Sequence, residues 1–252
     1  MMRGQNRLVS IVMAAWLPVL ILVAIWIYTN AVPSPFTPPL QNVVQQFFQF
    51  WLGEGFIEHV IPSLRNTAAG FLIALVIGLG LGTLLARVPA LDVLLSPLIT
   101  FSRSLPPLVL LPLVFVFTGN SDLGRIGLIA YGAVWPILLN TIDGIRAIAP
   151  EVLQTARSYR VTRFDTFSRV ILPGAFPQIS VGIRLSLTIS LVLMVASEFY
   201  GSLQGIGAML FEAKNTFLTA DMWAGVILLG IIGYVISVLY ELVERRLLRW
   251  RP

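Results

Sequence analysis

Cysteine is absent from the 252 residues, which rules out disulfides and thiolate metal sites. Lysine is nearly absent: Lys214 stands alone, in Ala-Lys-Asn. The Gly-Lys-Ser/Thr loop that cradles nucleotide phosphates therefore cannot be built, and a P-loop ATPase is excluded. His59 is the single histidine; without acidic or thiol companions it is expected in a loop or at an interface. Charge is scarce as well, at 12% Asp, Glu, Lys and Arg, against roughly 25% in a soluble domain. No carboxylate pair, metal-ligand cluster or nucleophile–base set is spaced for catalysis, so no enzyme active site is read.

What is present is apolar: 57% of the chain is hydrophobic. The apolar runs are continuous rather than alternating, which favours spanning helices over a barrel. The expected fold class is an all-α integral membrane protein. Its six transmembrane helices lie at 8–28, 67–86, 92–117, 126–142, 179–197 and 222–240. The first run exceeds the roughly 7–15 apolar residues of a signal peptide, so it is read as an uncleaved span. The third is interrupted by Arg103, Pro106, Pro107 and Pro112. Gly78 and Gly82 in the second form a GxxxG, read either as a close-packing face or as ordinary glycine abundance in membrane helices. Residues 29–60 are expected to be an external loop with an interfacial helix carrying Phe47, Phe48, Phe50 and Trp51. Residues 200–221 are expected to be a loop rich in glycine and small residues.

The net charge of +5 rests on arginines beside apolar spans. Positive-inside topology explains it better than nucleic acid, which is not an expected partner. Arg3 and Arg7 keep the N-terminus in the cytoplasm, and six crossings return the basic tail to the same side. The division expected is 1–60 as an N-terminal helix and external loop, and 61–252 as a five-helix core.

The longest basic, non-spanning stretch is 146–177, RAIAPEVLQTARSYRVTRFDTFSRVILPGAFP. Pro150 suits the first turn of a helix. Val152, Leu153, Ala156 and Tyr159 share one face at helical spacing. Thr162-Arg163-Phe164-Asp165 has the pattern of a capping box. It opens a second short helix with Phe164, Phe167, Val170 and Ile171 on its apolar side, which Pro173-Gly174 is expected to stop. The result is a cytoplasmic hairpin. Its arginines at 157, 160, 163 and 169 either pair with a protein partner or anchor the loop to anionic membrane lipid.

The hairpin resembles the cytoplasmic signature of ABC importer permeases, the binding-protein-dependent inner-membrane components. That signature runs Glu-Ala-Ala, three residues, Gly, nine residues, Ile-x-Leu-Pro. Gln154, Thr155 and Ala156 fall on the first three positions, Arg160 on the glycine, and Val170, Leu172 and Pro173 on the close. Ala156, Leu172 and Pro173 match, Val170 is conservative, and Gln154, Thr155 and Arg160 depart. The segments at 104–119, 140–148, 171–187 and 205–210 resemble the subfamily that imports nitrate, bicarbonate, alkyl sulfonates, taurine and thiamine-precursor pyrimidines. The resemblance implies a bacterial inner-membrane, multi-pass permease with both termini in the cytoplasm and no cofactor of its own. Separate ATPase subunits would bind ATP and Mg. A periplasmic or lipid-anchored solute-binding protein and a second permease copy or paralogue would complete the complex. It further implies that 150–173 forms coupling helices, with Gln154, Thr155, Ala156, Arg157, Tyr159, Arg160, Leu172 and Pro173 at the ATPase contact. Ala156 is expected to be exposed there, its small side chain permitting close approach. The solute implied is a small anionic or polar organic molecule.

The ionisable residues inside or bordering apolar runs are Arg103, Arg184 and Glu198, candidates for the passage or its gate. Interfacial placement for Glu198, and snorkelling for the two arginines, are the alternatives. A self-sufficient channel or ion-driven transporter and a non-transporting scaffold are the rival functions. The missing internal repeat counts against a secondary transporter.

Overall fold

The computed structural model describes residues 3–32, 34–200 and 202–249, with side chains left aside at 3–15 and 18. It is helical throughout, apart from one isolated bridge between Ser34 and Thr37 among the described residues. The chain packs as two compact units, one of 1–57 with 209–228 and one of 58–208 with 229–252.

The first unit contains α1 (Arg3–Ala31) and α2 (Leu40–Gln46), which continues as wide π-type turns over Phe47–Glu54. It also takes in most of α10 (Ile206–Asn215) and the start of α11 (Thr219–Leu247). The expected span at 8–28 falls on α1, and its first half lies outside the described side chains. Trp51, expected at an interface, is 0% exposed. Its Nε1 donates to the Asp221 carbonyl at 3.1 Å, and Gln46 Nε2 donates to the Asp221 carboxylate at 2.6 Å. Gly225 leaves room for the indole: a Cβ there would lie 2.7 Å from Trp51 Cζ2. The stretch therefore builds a core, because a partner distant in sequence satisfies the indole N–H. The expected loop at 200–221 contains α10.

The second unit holds α3 (Ile61–Arg87), α4 (Pro89–Ser104), α5 (Leu111–Thr118), α6 (Asp122–Arg146), α7 (Pro150–Ser158), α8 (Arg163–Asp165) and α9 (Leu172–Glu198). Helix α6 is its axis, packed against α3 on one side and α9 on the other. Gly70, Ala74, Gly78 and Gly82 recur every four residues along α3. Added Cβ atoms at the glycines would lie 2.7 Å from Ile129, 2.8 Å from Ile137 and 2.8 Å from Thr141 of α6. The GxxxG is thus a packing face, and small residues let two backbones approach. On the far side of α6, Ser186 Oγ donates to the Ala133 carbonyl at 2.6 Å. Gly182 abuts the Pro136 carbonyl, 2.6 Å from where its Cβ would stand.

Four helical stretches are long and apolar enough to cross a membrane: Phe56–Arg87, Asp122–Arg146, Arg163–Glu198 and Thr219–Leu247. The pair Pro89–Ser104 and Pro107–Thr118, bent by 82°, makes a fifth if counted as one broken span. The interruption read at Arg103 and Pro106-Pro107 is this bend. Two prolines in succession remove adjacent N–H donors and force the preceding residue out of the α region.

The stop expected at Pro173-Gly174 does not occur. The helix starting at Arg163 runs unbroken into α9, a 36-residue stretch. Wide π-type turns over Thr166–Ile171 lie just ahead of Pro173. A widened turn relieves the clash between a proline ring and the carbonyl four residues earlier, so the helix passes through.

Candidate functional site

The 150–173 hairpin is built by local rules. Pro150 occupies the first position of α7 after the Ala149 cap. The helix ends in a Schellman motif: Val161 N donates to the Ala156 carbonyl at 3.0 Å and Arg160 N to the Arg157 carbonyl at 2.9 Å. Such a motif needs a left-handed residue after the cap, usually glycine. Arg160 fills that position with φ 51°. The departure from the signature thus keeps the glycine's backbone conformation and accepts its strain. Thr162 then caps α8, its Oγ1 accepting from Asp165 N at 3.1 Å and donating to Asp165 Oδ2 at 2.7 Å. Arg169 pairs with Asp165 at 3.1 Å.

One placement differs from expectation. Ala156 is not exposed; at 8% exposure it is buried within the chain, a consequence of the tight turn folding back over its carbonyl. Tyr159 and Phe164, each on the apolar face read for its short helix, stand out at 80% and 77% exposure. They flank the turn because the left-handed residue redirects the chain between them. Gln154, Thr155, Arg157, Arg160 and Arg163 are exposed beside them, Leu172 is partly exposed and Pro173 is half-buried. The hairpin is joined to the bundle from the other side. The Arg87 guanidinium, at the C-terminus of α3, lies 5.1 Å above the Phe167 ring, a cation–π contact. Gly174 faces Ile148, whose Cδ1 would be 2.7 Å from an added Cβ. The surface around Tyr159 and Phe164 is apolar at its tip and cationic at its sides, suited to a partner with an apolar pocket and acidic rim.

At the opposite end of α9, Glu198 is 2% exposed. It is neither interfacial nor free: its Oε1 accepts from Ser63 Oγ at 2.7 Å and its Oε2 from Gly207 N at 2.8 Å. Ser63 Oγ in turn accepts from Ile206 N at 2.9 Å. Gly205, at φ 119°, sits so near that a Cβ would lie 2.5 Å from the Glu198 carboxyl carbon. His59, expected in a loop or at an interface, is buried, and its Nδ1 accepts from Gly205 N at 3.3 Å. One α-helical turn further along α3, Asn66 donates to Asp122 at 3.1 Å; Arg65 and Arg125 also pair with Asp122. Glu198 thus ties the starts of α3 and α10 to the end of α9. Sequence reasoning missed Ser63 and Asp122, whose partners Glu198, Arg65 and Asn66 lie on other helices, and Arg125, which pairs locally with Asp122.

Arg184 is not free either. It pairs with Glu244 of α11, which also accepts from Ser180 Oγ. Arg103 is exposed and lies beyond ion-pair distance of any carboxylate among the described residues. It lines a cleft of about 440 Å³ between the Pro106-Pro107 break, α6 and α9. The structure therefore separates the three sequence candidates: an inter-helix clamp at the end of α9 (Glu198), another near its middle (Arg184), and a cation at a helix break with no carboxylate beside it among the described residues (Arg103).

Comparison with known proteins agrees with this anatomy. Residues 74–249 match the family of binding-protein-dependent transport system inner membrane components. The permease SsuC of Bacillus subtilis, named for aliphatic sulfonates transport, is 32% identical over 92% of this chain and 85% of its own. The bicarbonate transport system permease protein CmpB of Synechococcus elongatus is 32% identical, covering 79% and 72%. The taurine transport system permease protein TauC of Escherichia coli is 27% identical, covering 91% and 86%. In fold, the chain is similar to the inward-facing MetNI methionine ABC transporter, with TM-score 0.64 at 21% identity over 75% of this chain and 94% of that one. With the family model spanning most of its length, this chain belongs to the binding-protein-dependent ABC permeases and is the inner-membrane component of such a system, not its ATPase.

Proposed function

We propose that this permease crosses the membrane six times, with both termini and the 150–173 hairpin in the cytoplasm, and that the hairpin couples it to a separate ATPase. The sixth crossing is α1, and the bent pair α4–α5 counts as one. Residues 1–60 are an accessory helix and external segment, and 61–252 the core. Two such permeases enclose the solute passage, an external binding protein delivers the solute, and the ATPase subunits hold ATP and Mg. The solute is a small anion of the kind that names the relatives: sulfonate, taurine or bicarbonate. Lipid fills the remaining outer surface.

The observation that carries this reading is the hairpin turn. Arg160 holds the left-handed geometry at the position where the family signature has glycine, and the turn projects Tyr159 and Phe164 outward. A loop serving only to anchor arginines to lipid has no need of a strained, fully bonded Schellman turn.

The chain's lack of cysteine makes the test clean. Single cysteines at Phe164 and at Leu123, both exposed, are labelled with a membrane-impermeant maleimide. Cysteine at 164 should react only from the cytoplasmic side and be protected once the ATPase is bound. Cysteine at 123 should react only from outside. Labelling of both from one side, or no protection of 164 in a complex that retains the ATPase, contradicts the assignment.

A further inference from the structure

The cleft beside Arg103 is not explained by coupling or by helix packing. Its walls are Pro106 and Pro107 at the break, Trp135 of α6, and Thr188 and Val192 of α9. At about 440 Å³ it is within the range of small-molecule sites. Except for Arg103 and Thr188 the walls are apolar. Arg103 brings a charge that no carboxylate among the described residues neutralises. Trp135 brings a second observation: its Nε1–H is buried without an acceptor, although indole donors usually find one.

The break adds a third. The chain turns through 82° there, passing from α4 into a short 3₁₀ turn over Pro107–Leu110. Irregular backbone at membrane depth persists only where protein buries it or where it lines a watered cavity. Broken helices are also where transporters concentrate solute contacts. A cation at the mouth of an apolar cleft, on such a break, matches a ligand with an anionic head and an apolar body. An inorganic anion would leave the apolar walls unfilled, and a neutral solute would leave Arg103 unpaired.

The geometry points to the Arg103 cleft as a binding site for a small organic anion carrying an alkyl chain, the alkanesulfonate class, on the passage itself. This rests on the permease reading and narrows its solute away from bicarbonate. Arg103 holds the anionic head, with its planar fork matched to two oxygens. Trp135, Pro107 and Val192 enclose the chain.

The test uses the complex of this chain with its ATPase, in nanodiscs and without binding protein, with 1-butanesulfonate as the calorimetric probe. Saturable binding is expected, weakened at least tenfold by Arg103→Gln and less by Arg103→Lys, which keeps the charge. Val192→Trp, filling the cleft, should also weaken it. Sulfate and 1-butanol, head and chain alone, should each bind at least tenfold more weakly. No binding of butanesulfonate, or equal binding to the parent and to Arg103→Gln, overturns the proposal. So does displacement of the probe by phosphatidylglycerol in the disc, which would make the cleft a lipid site. Retention of the ATPase is scored on the same samples. Its loss from the parent complex sinks the permease reading, whereas its retention without probe binding sinks only the site.

Discussion

Arginine in the left-handed region costs about 1 kcal/mol or more relative to glycine. Arg160 bears that cost at φ 51° while both Schellman bonds are made. Arg160→Gly should therefore slow hydrogen exchange at the amides of Val161 and of residue 160 itself by up to roughly fivefold, the equivalent of about 1 kcal/mol. Glycine's looser unfolded state trims the gain. Faster exchange in the variant would show that the arginine side chain, not the turn, holds the hairpin. Glu198 illustrates the opposite economy, a buried carboxylate with both oxygens bonded. Gly205→Ala places a methyl 2.5 Å from its carboxyl carbon, on a backbone at φ 119°. The carboxylate must leave Ser63 or Gly207, and a loss of about 2–4 kcal/mol is expected. It should appear as a lower thermal midpoint in detergent; an unchanged midpoint would mean that the carboxylate has room to spare.

Among the elements, α3 and α6 approach closely because a small residue stands at every fourth position of α3. Gly78→Val should part the helices and cost about 1–3 kcal/mol, since a Cβ there meets Ile137 at 2.8 Å. Gly80 meets nothing within 4 Å, and Gly80→Ala should be neutral or stabilising by about 0.5–1 kcal/mol. Thermal unfolding of both variants decides it; equal losses would contradict the register. The core spans were legible in the sequence because each is a continuous apolar run that must satisfy its own backbone. The hairpin was legible too, through Pro150, the Thr162 cap and the signature spacing. What failed depended on partners far along the chain. Trp51 looked interfacial until the Asp221 carbonyl, 170 residues away, took its N–H. Proline at 173 looked like a stop because a widened turn upstream leaves no mark in composition. The burial of Ala156 followed from a turn direction that periodicity alone does not encode.

At the largest scale, the second unit is a central helix, α6, packed between α3 and α9, with the buried Glu198 cluster at one end of α9 and the hairpin at the other. Because α9 is continuous with the second arm of the hairpin over 36 residues, in the proposed coupling a single helix links Phe164 to the Thr188–Val192 wall of the Arg103 cleft. In the proposed function a separate ATPase drives solute passage through this contact. The direct measurement is ATP-dependent uptake into proteoliposomes containing the complete complex, comparing the parent with the double variant Tyr159→Glu, Phe164→Glu. Both residues are solvent-facing in the chain itself, so folding and insertion should be unaffected. Two carboxylates pressed into an apolar pocket should cost several kcal/mol of contact. Uptake should fall at least tenfold and the ATPase should be released on washing, with the variant inserted at the parent's level. Uptake at the parent's rate, with the ATPase retained, would contradict it.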